Sequence, residues 1–150
     1  MLIGCVSMPP SKPVYDHHTQ APPETIDDYR RRQIIRTATA MIGKPYRYGG
    51  TTPEQGFDCS GLVQFSHNQA GIRVPRTAAQ QLQNAKSVDF NRLQPGDLLF
   101  FRINGKPSHV TIYLGGGEFI HAPSSGGRVR TEQVSQPYWR ERLYGIGSFF

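Results

Sequence analysis

The apolar pattern of this 150-residue chain changes period once, and that change constrains the fold more than any single motif. Before Asp97 the apolar residues recur at helical spacing; from Leu98 they run continuously or alternate, as in strands. Helices first and strands later argue for an α+β domain, with N-terminal helices packed on a mainly antiparallel β-sheet. The first helix is set by Ile26, Tyr29, Ile34, Ala38, Met41 and Ile42. Thr25 with Asp28 opens it, and Gly43 with Pro45 ends it. Asp58 is a good N-cap for a second helix, which Gly71 is placed to close. Thr77 caps a short third helix running to about Gln83. After a turn at Leu93-Gln94-Pro95-Gly96-Asp97, strands are expected at Leu98–Phe101, His109–Leu114, Glu118–Ala122, Val129–Val134 and Leu143–Phe149. A short helical piece falls around Tyr138–Arg142.

The organisation divides near residue 25. Residues 1–24 carry five prolines and read as a start followed by an extended linker; residues 25–150 read as one globular domain with a real core. His17 and His18 fall in the linker, where no further metal ligands accompany them. No stretch reaches transmembrane length. Seventeen Lys and Arg against eleven Asp and Glu give a net charge of +6. That suits an anionic partner, and equally an ordinary solubilising surface. Zinc spacing, a helix-turn-helix signal and RNA-binding aromatics are all lacking, so nucleic acid is not expected.

The two cysteines, Cys5 and Cys59, are read as unpaired and doing separate jobs. Leu2-Ile3-Gly4-Cys5 has the form of a lipoprotein processing site, with Cys5 as the lipidated residue. Only four residues precede Cys5, where a signal peptide needs a charged region and about 7–15 apolar residues. Cys59 sits in the first turn of the second helix, on the inward face with Leu62 and Val63. The helix dipole there favours the nucleophilic thiolate. The plainer reading is a small buried apolar residue.

Two histidines bear on that choice. A three-residue turn at Gly115–Gly117 pairs Leu114 with Glu118 and Ile112 with Ile120. His109 and His121 then become diagonal neighbours on one face, whereas a two-residue turn would bury His121 among Val110 and Ile112. If the cysteine helix packs on the histidine face, His109 could take the thiol proton and His121 could orient His109. Backbone N–H groups at the helix start could hold an oxyanion. A zinc site is the rival use of one cysteine and two histidines, and it lacks a fourth ligand.

With these residues in view, the chain resembles the NlpC family of bacterial cell-wall cysteine peptidases, a trimmed papain-like fold, over about residues 27–150. The matching stretches are Pro45-Tyr46-Arg47-Tyr48-Gly49-Gly50, Phe57-Asp58-Cys59-Ser60-Gly61-Leu62-Val63, Val74-Pro75-Arg76-Thr77, Leu93 to Leu98, Ser108 to Leu114, Phe119-Ile120-His121-Ala122 and Pro137-Tyr138-Trp139. The resemblance implies Cys59 as nucleophile, His109 as general base and His121 as the orienting third residue. It implies Tyr46 beside the cysteine as an oxyanion donor or a packing aromatic. Asp58, Ser60 and Arg76 match as well, as substrate-holding or locally structural residues. The implied reaction is cleavage of peptidoglycan stem peptides, most often at a γ-D-glutamyl-diamino acid bond, through a thioester. No cofactor and no metal are implied, and the protein would act as a monomer. Its place would be the cell envelope, in the periplasm, anchored to the membrane through a lipidated Cys5. A wall-binding module, or another thiol enzyme such as an amidase or acyltransferase, would share the fold.

Overall fold

The computed structural model describes residues 10–11, 21–124 and 126–150. Cys5, His17 and His18 lie outside the described residues. The chain forms α1 (Ile26–Ala40), a small ribbon of β1 (Thr51–Thr52) and β2 (Gly56–Phe57), then α2 (Cys59–Gln69) and α3 (Ala78–Asn84). It continues with β3 (Lys86–Ser87), a 3₁₀ turn at Phe90–Arg92, β4 (Leu98–Ile103), β5 (Lys106–Gly115) and β6 (Glu118–His121). It ends with β7 (Arg130–Gln133), α4 (Pro137–Arg140) and β8 (Leu143–Ser148).

Local chemistry starts the helices where the sequence places them. In α1, Asp28 N–H donates to the Thr25 hydroxyl at 3.1 Å and Thr25 N–H donates to the Asp28 carboxylate at 3.0 Å. Thr77 and Gln80 repeat this reciprocal cap at α3. The apolar stripe expected on α1 is only half buried. Ile34 and Ala38 are in the core, but Ile26 and Tyr29 in the first turns of α1 and Ile42 just past its end are exposed, because it is the second half of the helix that packs on the core.

The main sheet has the order β3-β8-β4-β5-β6-β7, with every neighbouring pair antiparallel. Both of its faces are covered. One face, with Leu98, Phe100, Val110, Ile112 and Ile120, packs on Ile34, Ala38, Leu62 and Val63 of α1 and α2. The other, with Leu99, Phe101 and Phe119, is closed by Trp139 of α4. This double cover explains the unbroken run Leu98–Phe101, whose four side chains are all fully buried. Each contributes on the order of 1.5–3 kcal/mol of burial.

The β5–β6 hairpin pairs Ile112 with Ile120, as expected. It does so by a different turn. Gly115, not Leu114, pairs with Glu118, and a bulge between Tyr113 and Gly115 absorbs the extra residue. Gly116 and Gly117 form the tip with φ of 60° and 79°, the left-handed values a tight two-residue hairpin turn demands.

Two features carry testable consequences. Gly61 faces the Gly50 carbonyl so closely that a Cβ would be driven into that oxygen. We expect Gly61→Ala to cost about 2–3 kcal/mol, read as a melting temperature lower by roughly 5–10 °C. His67 is fully buried; its Nδ1 donates to the Val63 carbonyl at 2.9 Å and its Nε2 has no partner among the described residues. Burial pushes its pKa down to about 4 from an ordinary 6.5. Below pH 6.5 the unfolded chain binds a proton that the folded chain refuses until about pH 4. The fold should therefore lose stability as pH falls through that window, and denaturant titrations of His67→Leu should show a shallower loss than the parent.

Candidate active site

The site begins at Asp58. Its Oδ1 accepts from Gly61 N–H at 2.7 Å, capping α2. Its Oδ2 accepts from Gly49 N–H at 3.1 Å, tying down the 45–50 loop. Arg76 grips both oxygens, at 3.1 and 2.8 Å, and donates to the Ser60 hydroxyl at 2.9 Å. Gln81 of α3 adds a bond to the Ser60 carbonyl at 3.1 Å. Asp58, Ser60 and Arg76 thus form one network that fixes where α2 starts. None of the three lines the cleft described below.

Cys59 follows as the first residue of α2. Leu62 and Val63 direct the helix onto the Val110 and Ile112 face of the sheet, so packing of α2 on the histidine face, the condition set in the sequence reading, is not met. The thiol reaches the site by another route. β6 ends at His121, and Pro123, which has no N–H, follows soon after. Beyond that point the β5 backbone at Ser108 and Val110 has no β6 partner. The thiol occupies this gap, 3.8 Å from the Ser108 carbonyl oxygen. Burial pushes the Cys59 thiol pKa above its usual range, and the nearby Asp58 charge adds to the rise. Backbone N–H groups of Val110, Ser60 and Cys59 pull it the other way without prevailing. Burial thus opposes the thiolate that the helix dipole favours.

His109 and His121 are brought together as the hairpin register required. His109 Nε2 and His121 Nδ1 are 2.8 Å apart. Trp139 stacks on His109 at 5.7 Å and stands edge-on to His121 at 5.1 Å. Burial lowers the pKa of His109 to about 4. Burial, with the charges of His109 and Arg130, lowers that of His121 to about 3. Both rings are neutral at rest. On the far side of His121, Glu132 brings Oε2 to 2.7 Å from Nε2.

Tyr46, Cys59, His109 and His121 line a single cleft of about 460 Å³, with Arg130, Glu132, Tyr138 and Trp139 among its other walls. Burial and the charges of Asp58 and Cys59 raise the Tyr46 hydroxyl's pKa, so it stays a donor. Such a set can supply a nucleophile, a base with an oriented ring, and donors for a developing oxyanion. Among the described residues no group of three or more His, Cys, Asp or Glu is arranged to hold a metal ion. Glu132 and Arg130 were not singled out from the sequence. The alternation within residues 130–133 was the available signal, but it becomes informative only once β7 is known to pair with β6.

Residues 43–148 match the NlpC/P60 family. The murein DD-endopeptidase MepH of Escherichia coli (strain K12) is 42% identical over 110 residues, covering 70% of this chain and 41% of that protein. The gamma-DL-glutamyl hydrolase of Bacillus subtilis (strain 168) is 42% identical over 119 residues, covering 77% of this chain and 29% of that one. Among solved structures, an NLP/P60 family protein similar to lipoprotein from Staphylococcus aureus superposes with a TM-score of 0.74. It is 34% identical, and the match covers 88% of this chain and 45% of that one. The chain spans less than half the length of the two curated relatives.

The raised thiol pKa is open to direct measurement. Alkylation of Cys59 by iodoacetamide, followed by mass, should keep accelerating through pH 9. A rate that is already level by pH 8 would contradict it.

Proposed function

The chain belongs to the NlpC/P60 family, and from that premise we propose that it is a peptidoglycan endopeptidase with Cys59 as its nucleophile. The observation that carries the proposal is the convergence of Cys59, His109 and His121 on one cleft, with the two rings 2.8 Å apart. The name of MepH, a murein endopeptidase, supplies the substrate class.

In this reading the thiol and the His109 imidazole are both neutral before substrate binds. As Sγ attacks the scissile carbonyl carbon, its proton passes to His109. His109 Nε2 is engaged with His121, which leaves Nδ1 to receive the proton. The oxyanion gathers hydrogen bonds from backbone N–H groups at the start of α2 and from the Tyr46 hydroxyl. Collapse breaks the amide bond; His109 returns the proton to the leaving amine, and a thioester remains on Cys59. Water, deprotonated by His109, then releases the acid product and restores the thiol. His121 holds the His109 ring, and Trp139 stacked on it keeps water away. Asp58, Ser60 and Arg76 act by holding the start of α2.

The bond we favour is γ-D-glutamyl-diamino acid, which the motif resemblance implies; the Bacillus relative is named a gamma-DL-glutamyl hydrolase. MepH is named a DD-endopeptidase, which favours the cross-link as the second reading. The net charge of +6 suits an acidic wall polymer. We place the protein in the cell envelope, acting as a monomer, with Cys5 as the proposed lipid anchor.

The test is digestion of purified peptidoglycan by the parent beside Cys59→Ala, with products read by mass spectrometry. The parent should release fragments whose masses name the bond. The variant should be slower by at least about a thousandfold while keeping its melting temperature. Equal cleavage by both proteins would remove Cys59 from the mechanism.

A further inference from the structure

Glu132 lies in none of the family-like motifs, yet it ends the chain of polar contacts leading away from the cysteine. β7 pairs with β6 so that Arg130 stands opposite His121 and Glu132 opposite Phe119. Glu132 is therefore the diagonal neighbour of His121 across the ladder, within reach of a long side chain. Its Oε2 is 2.7 Å from His121 Nε2, and its Oε1 faces Arg130 Nε at 3.6 Å. Nε2 and Oε2 are both buried, and neither has another partner among the described residues. Their approach is short but falls below the alignment of a full hydrogen bond. Distance and mutual isolation decide the matter, because either atom left alone would carry its full desolvation cost.

A carboxylate oxygen only accepts, so this contact favours the proton on Nε2 of His121. Neutral His121 then offers Nδ1 as an acceptor. His109 Nε2, 2.8 Å away, must be the donor. That leaves Nδ1 of His109 without a proton. The opposite arrangement, with His121 protonated on Nδ1, would put the His109 proton on Nδ1 and disable it as a base.

We propose that Glu132 is a positioning residue: it sets the tautomer of His121 and, through it, that of His109, so that His109 Nδ1 is free to take the Cys59 proton. Glu132 acts only as an acceptor, and no proton is transferred to it. Arg130, on the same strand, orients the carboxylate from its other oxygen. The charged and titratable groups around His121 are His109 from β5 and Arg130 and Glu132 from β7; α4 presents the uncharged ring of Trp139. The effect on rate rests on the hydrolase reading given above; the tautomers do not.

The experiment is a ¹⁵N imidazole spectrum of the parent, Glu132→Gln and Glu132→Ala at pH 7, joined to steady-state cleavage of a soluble muropeptide. The parent should show Nε2–H on both His109 and His121. Glu132→Ala should mix the tautomers, lower kcat by about tenfold or more and leave KM within about twofold. The acid limb of its pH–rate profile should move to lower pH, since losing the carboxylate makes the histidine pair less basic. Glu132→Gln keeps an accepting oxygen and should recover the tautomer and most of the rate. An Nδ1–H tautomer on parental His121, or tautomers unaltered in a folded Glu132→Ala, would overturn the proposal. A parent that cleaves no muropeptide would instead sink the hydrolase reading, and the spectra would still decide the role of Glu132.

Discussion

The carboxylate of Asp58 is the contact on which the rest of the site depends. Its two oxygens bind Gly49 of the 45–50 loop, the first turn of α2, and both ends of the Arg76 fork. An ionised group at a helix start, fully hydrogen-bonded and paired in bidentate fashion, is among the stronger polar contacts a domain can make. Because Cys59 is the next residue, any looseness in this contact becomes a displacement of the thiol. The backbone reinforces it: Asp58 N–H donates to the Gly50 carbonyl at 3.1 Å, and Gly61 leaves that carbonyl room to approach.

Charge is kept out of the interior of the site. The helix dipole stabilises an exposed anion by roughly 0.3–1 kcal/mol. Withdrawing an ion from water costs several kcal/mol. The larger effect is burial, which pushes the thiol pKa up and both histidine pKa values down, each toward the neutral form. Ionisation is then deferred to the moment when a bound carbonyl gives the new charge somewhere to go. Arg130 and Glu132 stand at the wall of the cleft, Arg130 half exposed and Glu132 mostly covered.

What the sequence made legible follows from the range of the interactions involved. The caps at Thr25, Asp58 and Thr77 act within three residues, and all three form as read. The meeting of His109 and His121 was readable because a hairpin is local, although a bulge between Tyr113 and Gly115, and not a three-residue turn, sets its register. The face chosen by α2, the exposure of Ile26 and Tyr29, and the partnership of Glu132 with His121 depend on contacts between distant segments. Periodicity shows that a face is apolar or polar and does not say which neighbour will cover it. The opposing pull of burial on Cys59 was not legible for a related reason, since burial is a property of the assembled domain.

The early end of β6 has a wider meaning. Sheet completion and chemistry compete for the same stretch of β5 backbone at Ser108 and Val110, and here chemistry has won because a neighbouring strand stops short. The nucleophile is seated in a vacancy of the ladder, not in a hollow carved from side chains. A vacancy of this kind is insensitive to which residues surround it but intolerant of insertion. Two further residues of pairing on β6 would fill it and evict the thiol while leaving every side chain of the site intact.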